Sequence, residues 1–500
     1  MADVIDKLIL GFGVALTPMN VLFVFVGAVL GTLIGVLPGI GPVATLAMLI
    51  PITYYLEPTT AIIMLAGIYY GAQYGGSTSA ILVNMPGESA SVVTCLDGYQ
   101  MARQGRAGSA LAIAAIGSLF AGVVATFLIS FAGPTLADIA LSFGPAEYFS
   151  LMVFGLVAAI ILAHGSILRA FGMMVLGLAL GIVGTDVNTG AQRLAFGIPS
   201  LVDGIDFVPF AIGLFAIPEI LRNLENPEGR SVLAQKISKL WPTKQEFRQA
   251  APAILRGTAV GSILGVLPGG GALLSSFAAY MTEKRVAKDP SRFGKGAIEG
   301  VAGPESANNA GAQTSFIPLL TMGIPSNVVM ALLAGALTIQ GIQPGPEIIT
   351  KQPELFWGLI ASMLVGNIML LIINLPMIGI WVKLLKIPYR LLYPSILLFC
   401  CVGVYTVNNN TFNLVQLVAF SVLGMILWRL DCEPAPMVLA FLLGPLMEEN
   451  LRRALLLSRG DPSTFVERPI SLGLLLCAVA LLIVVLMPFV RRKREVAFAE

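Results

Sequence analysis

Charged residues are scarce in this sequence, and the few that occur are unevenly spread. They make up 12% of its 500 residues, whereas soluble domains carry about 25%. Only Glu57 and Glu88 are charged between Lys7 and Asp97. Further uncharged runs cover residues 107–137, 257–282, 306–346, 355–382 and 470–490. A helix of about 20 apolar residues crosses the hydrocarbon core of a bilayer, so this pattern excludes an ordinary soluble domain and predicts an all-α polytopic membrane protein.

Histidine and cysteine are scarce as well. His164 is the only histidine, and the five cysteines show no metal-ligand spacing, so no transition-metal site is expected. The sequence has no Walker A motif and no Gly-x-Ser-x-Gly elbow with a histidine partner. It therefore predicts neither an ATPase nor another enzyme, and no cofactor. The net charge of +2 gives no reason to expect a nucleic-acid partner.

One 15-residue stretch occurs twice, 230 positions apart. GTLIGVLPGIGPVAT at 31–45 and GSILGVLPGGGALLS at 261–275 share seven residues, including Gly-Val-Leu-Pro-Gly. Each copy places a Gly/Pro break inside a long uncharged run. Non-helical backbone at that depth is tolerated only where protein buries it or water reaches it. A simple kink at Pro38 and at Pro268 is the alternative, but the recurrence favours a hairpin or broken helix at both places.

The distribution of Lys and Arg orients the chain, because these residues collect in cytoplasmic loops. Residues 222–256, 283–295, 383–390 and 491–494 are predicted inside, and residues 133–147 and 185–206 outside. The first copy of the repeat then starts and ends outside, and the second starts and ends inside. This arrangement predicts an inverted-topology repeat with about 11 full crossings plus re-entrant hairpins. The N-terminus is predicted periplasmic and the C-terminus cytoplasmic.

The chain is accordingly predicted to consist of two halves. The first half, 1–250, comprises a hairpin or broken-helix core at 8–110, spanning helices at 108–222 and a cytoplasmic loop at 223–250. The second half, 251–500, comprises a corresponding core at 251–345, spanning helices at 355–490 and a basic cytoplasmic tail.

A second pair of breaks follows the repeated stretch. The tripeptide Gly-Ala-Gln occurs at 71–73 and at 311–313, and a proline among small residues follows each copy, at Pro86 and Pro325. A discontinuous helix exposes backbone N–H groups that favour an anion, and Ser, Thr and Asn can donate to the same carboxylate. The predicted substrate-binding residues are Ser77, Thr78, Ser79, Asn84, Pro86, Asn308, Asn309, Thr314, Ser326 and Asn327.

A coupling cation, Na+ or H+, is predicted beside the substrate. Unwound carbonyls and a buried carboxylate can ligate Na+, and a carboxylate inside a membrane is a functional hypothesis by default. The predicted cation-binding residues are Gly39, Gly41, Glu88, Gly269, Gly271 and Glu305. The alternative for each single residue is structural, because Ser, Thr and Gly support close helix packing in bilayers and either glutamate can cap a helix at a water interface.

Five segments together resemble the large membrane subunit of the tripartite tricarboxylate transporters. These segments are GVLPGIGP, GAQYGGSTSAILVNMPGE, VLPGGG, PESANNAGAQTSFIPLLTMGIPS and PLMEENLRRALLLSRGD. The resemblance extends from about residue 15 to about residue 490, so it covers nearly the whole chain, and this set of motifs is specific. No departure from the motifs of the family is evident.

The resemblance implies a function and partners that composition does not show. In that family a periplasmic solute-binding protein delivers citrate or another tri- or dicarboxylate to the bacterial inner membrane. The large subunit forms the translocation path beside a small membrane subunit of about four helices, and an ion gradient drives uptake without an ATPase subunit.

Three other functions are weighed against this one. A passive anion channel should show a ring of like charges or a repeated filter, and neither occurs. An ion antiporter should place Asp or Glu deep within its helices, whereas here the acidic residues lie at the ends of uncharged runs. An ion-coupled carboxylate transporter that acts without a binding protein stays open.

Overall fold

A computed structural model describes residues 2–37, 41–162, 166–186, 189–225, 240–267, 271–385 and 389–486. The chain is an all-α membrane protein, as its composition predicts. The helices up to residue 141 are α1 Ala2–Ala15, α2 Pro18–Val36, α3 Pro42–Thr53, α4 Pro58–Val83, α5 Val92–Thr94, α6 Gln100–Arg103 and α7 Ala107–Leu141. A 3₁₀ turn, Ser89–Ser91, and a π-helical turn, Cys95–Tyr99, flank α5.

The first half continues with α8 Pro145–Leu162, α9 Ile167–Gly181, α10 Phe207–Ala211 and α11 Ile217–Glu225. The second half begins with α12 Lys244–Val266, α13 Gly271–Val286, α14 Glu299–Thr314, α15 Phe316–Met322, α16 Val328–Ile339 and α17 Glu347–Lys351. It ends with α18 Pro353–Asn374, α19 Ile378–Leu384, α20 Tyr389–Asn408, α21 Thr411–Arg429, α22 Ala435–Leu457, α23 Thr464–Glu467 and α24 Pro469–Leu486. Further 3₁₀ turns, Pro199–Leu201 and Pro290–Arg292, and a π turn, Ile212–Ala216, join some of these helices.

Several helices have the length and composition of membrane spans. Among the described residues, α2, α7, α18 and α21 are long and apolar enough to cross a bilayer, and shorter apolar helices accompany them. These helices confirm a multi-pass membrane protein. The number of crossings and the inverted orientation of the halves stay predictions. Residues 226–239 of the predicted loop and the tail at 491–494 lie outside the described residues.

A row of glycines fixes the packing of α2 against α4. A methyl group added at Gly27, Gly31 or Gly35 would lie 2.2–2.4 Å from a backbone carbonyl oxygen of α4. These glycines are four residues apart, so they lie on one face of α2. Only glycine permits such close contact between the two backbones. Without a hydrophobic force between helices in lipid, packing of this kind is what holds them together.

The second half repeats this packing in α12 and α14. Gly257, Gly261 and Gly265 stand 230 residues after the three glycines of α2, and a methyl group on any of them would lie 2.2–2.4 Å from a carbonyl oxygen of α14. In each half, the helix before the Gly/Pro break therefore packs in the same manner against the helix that contains Gly-Ala-Gln. The two copies of the repeated sequence therefore make the same kind of close glycine contact.

The second breaks also match residue by residue. α4 ends at Asn84, which has a left-handed backbone (φ 56°), and α15 ends at Gly323, also left-handed (φ 73°). Four residues later, Glu88 and Asn327 cap the next helical segments by accepting hydrogen bonds from the backbone N–H groups of Ala90 and Met330. Each half thus contains a broken helix whose second part begins with a capping side chain.

This match predicts unequal tolerance of the two left-handed positions. A side chain at Gly323 would meet the Pro344 carbonyl oxygen at 2.6 Å and would strain the backbone, so Gly323→Ala should lower the free energy of unfolding by about 1–3 kcal/mol. Asn84→Gly, at an exposed position, should change it by less than about 0.5 kcal/mol. Thermal unfolding of the two purified variants measures both changes in stability. Equal changes would contradict the close contact and the backbone strain described at Gly323.

A short hairpin outside the helices joins α9 to α10. Its strands, β1 Gly184–Thr185 and β2 Gln192–Arg193, are antiparallel. Arg193 forms ion pairs with Asp186 and with Glu448 of α22, and Arg452 bonds the same two acids. Hydrogen bonds from the two arginines hold the pKa of Glu448 below its usual value. This network fixes the hairpin against the polar C-terminal part of α22, which continues to Leu457.

Candidate functional site

Glu305 is a buried carboxylate at the contact between the two halves. It lies in the middle of α14 and is fully shielded from solvent. The Ser77 hydroxyl on α4 donates to its Oε2 at 2.5 Å, and the Thr94 hydroxyl on α5 donates to Oε1. Both donors come from the first half of the chain and the carboxylate from the second. The sequence predicted Glu305 and Ser77 as site residues but not Thr94.

Glu88 is a second buried carboxylate at the contact between the two halves. Its Oε1 accepts from the Asn308 amide nitrogen at 3.0 Å, and its Oε2 accepts from the Ala90 backbone N–H at 3.0 Å. When the Gln73 amide is oriented to satisfy its neighbours, its nitrogen donates to Glu88 Oε1 at 2.8 Å. Glu88 therefore caps the helix after the first break and also bonds to the second half.

Each of the two carboxylates forms hydrogen bonds to the other half of the chain. Glu305 of the second half bonds to Ser77 and Thr94 of the first, and Glu88 of the first half bonds to Asn308 of the second. All these partners are hydroxyl or amide groups, and no ion pair to either carboxylate is recorded within the described ranges. Burial without an opposite charge is costly in a membrane, which favours a function over a purely structural role.

A row of polar residues on α14 continues this cluster. Asn309 donates to the Ser118 hydroxyl of α7 at 2.7 Å. One turn further along α14, Gln313 accepts from the Thr126 hydroxyl at 2.8 Å. Glu305, Asn309 and Gln313 are spaced by four residues, so they share one face of the helix. The spacing was visible in the sequence, but the partner helix α7 was not.

A small cavity opens beside Ser77 between α4, α7 and α18. Its polar lining consists of Tyr74, Ser77 and Thr78 from α4, Ser118 from α7 and Asn374 from α18. The Tyr74 hydroxyl and the Asn374 Oδ1 atom are buried and have no hydrogen-bond partner. Two residues of the cavity lining therefore carry unpartnered polar atoms, and a third, Ser77, bonds Glu305.

The second break forms a separate polar cluster. The Asn327 amide nitrogen donates to the Ser315 hydroxyl at 3.1 Å, and the Ser326 hydroxyl donates to the Ser315 carbonyl oxygen at 3.3 Å. Gly271, at the start of α13, approaches closely enough that an added methyl group would lie 3.1 Å from the Asn327 amide nitrogen. Gly271, Ser326 and Asn327, all predicted from the sequence, are therefore neighbours, and Ser315 joins them.

The remaining predicted residues are more scattered. Ser79 and Thr314 donate to backbone carbonyl oxygens of helices in their own halves. Asn84 is exposed and ends α4, and Pro86 is half-buried in the same break. Gly41 starts α3, where a methyl group would lie 3.2 Å from a carboxylate oxygen of Glu219. Gly39 and Gly269 lie outside the described residues.

Sequence reasoning missed Thr94, Gln73, Ser118, Asn374 and Ser315. Ser118 and Asn374 lie on helices that carry no break, and Thr94 is a single hydroxyl within an apolar segment. Only tertiary packing shows that these five side chains meet the predicted ones. Gln73 had a usable signal, because it belongs to the repeated Gly-Ala-Gln.

Broken helices that hold buried carboxylates within a multi-pass helical protein are typical of secondary transporters. Comparison with protein families agrees with that class. Residues 21–439 match the model of the Tripartite tricarboxylate transporter TctA family. The chain belongs to this family, as its motifs predict.

Two relatives come from Agrobacterium vitis. An uncharacterized 52.8 kDa protein in the TAR-I ttuC' 3' region is 57% identical over 500 residues, covering the full length of both chains. An uncharacterized protein in the TAR-II ttuC' 3' region is 58% identical over 240 residues, which is 48% of this chain and 99% of the relative. No solved structure matches the chain.

Proposed function

We propose that this protein is the permease subunit of a binding-protein-dependent secondary transporter that imports tri- and dicarboxylates such as citrate. A gradient of Na+ or H+ drives the import. The observation that carries this proposal is the pair of buried carboxylates, Glu88 and Glu305, each bonded across the contact between the two halves. A family of tripartite tricarboxylate transporters, to which the chain belongs, supplies the substrate class and the partners.

The two breaks have different chemistry, and we assign them different roles. At the first break, the N-terminus of the following helix is already occupied by the Glu88 carboxylate. At the second break, the 12-residue helix α16 begins at the neutral cap Asn327, next to Ser326 and Ser315. A negative charge is favourable at such an N-terminus. A carboxylate group of the substrate is therefore assigned to the second break, and Asn308, Asn309 and Thr314 follow as residues of its path.

Glu88 and Glu305 belong to ion coupling in this assignment. A carboxylate near the middle of the membrane can balance a bound Na+ or carry a proton, and each state favours a different arrangement of the helices around it. Because both side chains bond across the contact between the halves, a change in their charge acts directly on that contact. Gly41 and Gly271, also predicted as cation-binding residues, lie elsewhere, Gly41 beside Glu219 and Gly271 beside Asn327 at the second break.

The inverted repeat and the membrane setting are part of the proposal. Equal packing of α2 on α4 and of α12 on α14 supports two equivalent halves, and the distribution of Lys and Arg supports opposite orientations. We place the protein in the bacterial inner membrane with the N-terminus in the periplasm and the C-terminus in the cytoplasm. Its partners are a small membrane subunit and a periplasmic solute-binding protein.

Uptake of labelled citrate into proteoliposomes tests this function. The vesicles contain this chain and its small partner, the binding protein is added outside, and a Na+ gradient, a proton gradient or neither is imposed. Uptake should require the binding protein and one gradient, and should exceed the rate without a gradient at least about tenfold if the gradient supplies about 1.4 kcal/mol or more.

The other outcomes identify the alternatives. Gradient-driven uptake that needs no binding protein would indicate an independent ion-coupled carboxylate transporter. Uptake without a gradient would indicate a passive anion channel. Uptake of no tri- or dicarboxylate under any gradient would overturn the proposed function.

A further inference from the structure

The cavity between α4, α7 and α18 is lined by several side-chain oxygens and is too small for an organic acid. Its lining contains no charged residue, and its polar atoms come from Tyr74, Ser77, Thr78, Ser118 and Asn374. The hydrogen bonds that these groups already form determine which of them can still donate and which can still accept. A carboxylate needs donors, whereas a hard cation needs oxygen lone pairs.

The hydrogens of the two α4 hydroxyls are used elsewhere. Ser77 donates to Glu305 Oε2 at 2.5 Å, or to the Gln73 carbonyl oxygen at 3.0 Å. Thr78 donates to the Tyr74 carbonyl oxygen at 3.4 Å. Each hydroxyl oxygen therefore has a lone pair left for a ligand in the cavity that its residue lines.

Asn374 is oriented in the same sense. Its amide nitrogen donates to the Leu370 carbonyl oxygen at 2.9 Å and approaches the Thr32 hydroxyl at 3.3 Å. The carbonyl can only accept, so it fixes the amide orientation. Asn374 Oδ1 is left without a partner although the residue is only 4% exposed. A buried acceptor without a donor is unfavourable, and this one lines the cavity.

Two further oxygens complete the lining. The Ser118 oxygen accepts from Asn309 of α14, and the Tyr74 hydroxyl is buried without a partner. Each of these hydroxyls keeps its own hydrogen and can rotate it, so each oxygen is able to present a lone pair. The space has room for about one water-sized particle, which is too little for an organic acid. The Glu305 carboxylate lies one hydrogen bond behind Ser77 and supplies negative charge.

We propose that this cavity binds one dehydrated monovalent cation of the size of Na+. Ser77, Thr78, Ser118 and Asn374 supply the oxygen ligands, and Tyr74 closes the site. The inference rests on the proposed function, in which this cation is the coupling ion. Ser77 and Thr78, which the sequence predicts as substrate-binding residues, are cation ligands in this proposal.

The position of the site explains how the ion would affect transport. Asn374 bonds Thr32 of α2, Ser118 bonds Asn309 of α14, and Ser77 bonds Glu305 of the same helix. A bound cation would therefore connect α4, α7 and α18, and through their hydrogen bonds also α2 and α14. It should stabilise one arrangement of the two halves before any organic acid binds.

Thermal unfolding of the purified full-length chain tests the site without any organic acid or binding protein. NaCl is titrated against choline chloride at constant ionic strength, so that screening does not change. The unfolding temperature of the wild-type protein should rise and saturate with Na+, because a ligand that binds the folded state stabilises it.

Variants then locate the ion. Ser118→Ala and Asn374→Leu should weaken the apparent Na+ affinity at least about tenfold, whereas Asn374→Asp keeps the oxygen and should retain binding. Ser130→Ala is the matched control, because Ser130 is also buried on α7 and bonds only the Thr126 carbonyl oxygen. Ser118→Ala and Asn374→Asp still decide the question if Asn374→Leu does not fold.

The results separate this site from the proposed function. A wild-type unfolding temperature that does not distinguish Na+ from choline overturns the site, and so does an unchanged Na+ affinity in Ser118→Ala. Na+ binding with the predicted variant pattern, together with failed carboxylate uptake in proteoliposomes, would overturn the proposed function and leave the site standing.

Discussion

Replacement of Glu305 by Gln is expected to reduce ion-driven carboxylate uptake about 100-fold or more, because hydrogen bonds to a charged group are worth roughly 1.5–3 kcal/mol and the ion loses its counter-charge as well. The variant should still fold. Gln keeps the shape of the side chain. Of the Ser77 and Thr94 hydroxyls, one can keep donating to the amide oxygen and the other can rotate to accept from the amide nitrogen. The loss should therefore be one of coupling and not of assembly.

Uptake, cation dependence and binding-protein affinity should be measured on the same preparation. Binding-protein affinity should be unchanged, because Glu305 is fully buried and a soluble protein cannot touch it. Glu299→Gln is the matched control: it removes the same charge six residues earlier on α14, where Glu299 pairs with Arg292. Wild-type uptake with unaltered cation dependence in Glu305→Gln would remove Glu305 from the coupling site.

The second large effect is expected at Gly87, in the first broken helix. A methyl group there would lie 1.7 Å from the Gly35 carbonyl oxygen and 2.8 Å from the Gly76 backbone. Both obstacles are main-chain atoms, so no side-chain rotation relieves them. Gly87→Ala should lower the free energy of unfolding by about 3 kcal/mol or more, and it should displace Glu88, the next residue, so that uptake is lost too.

Gly13→Ala provides the comparison for this variant. Gly13 is exposed on α1 and an added methyl group meets nothing within 4 Å. Alanine favours a helix over glycine by up to about 1 kcal/mol, so stability should stay equal or rise. Thermal unfolding and membrane yield of both variants check the pair. A Gly87→Ala protein as stable as the wild type would contradict the close contact of the break with α2.

Much of the fold could be predicted because lipid imposes strict rules on sequence. Uncharged runs of spanning length identified the membrane class, and the repeated Gly-Val-Leu-Pro-Gly located the ends of α2 and α12. The small residues around Asn84 and Gly323 located the second breaks. The exact ends of α7 and α22 were not predictable, since both helices continue past the apolar part of their sequence.

The site was predicted less completely than the fold. Glu88, Glu305, Ser77, Asn308 and Asn309 were predicted as site residues because they lie at or near a repeated break. Their partners Thr94, Ser118 and Asn374 were not, since a single hydroxyl or amide in an apolar run has the same sequence signal whether it packs a helix or lines a cavity. The direction in which each hydroxyl donates separates substrate ligands from cation ligands, and no sequence pattern contains that information.

The inverted orientation of the two halves is the central claim, because alternating access depends on it. It is tested most directly by labelling single cysteines in a variant that lacks the native five. Tyr54 follows α3 and Lys288 follows α13, so each lies in the loop after the helix that follows the first break of its half. Both residues are exposed. Tyr54→Cys should react with a membrane-impermeant maleimide from the periplasmic side, and Lys288→Cys only after the membrane is permeabilised. Labelling of both cysteines from the same side would contradict the inverted repeat.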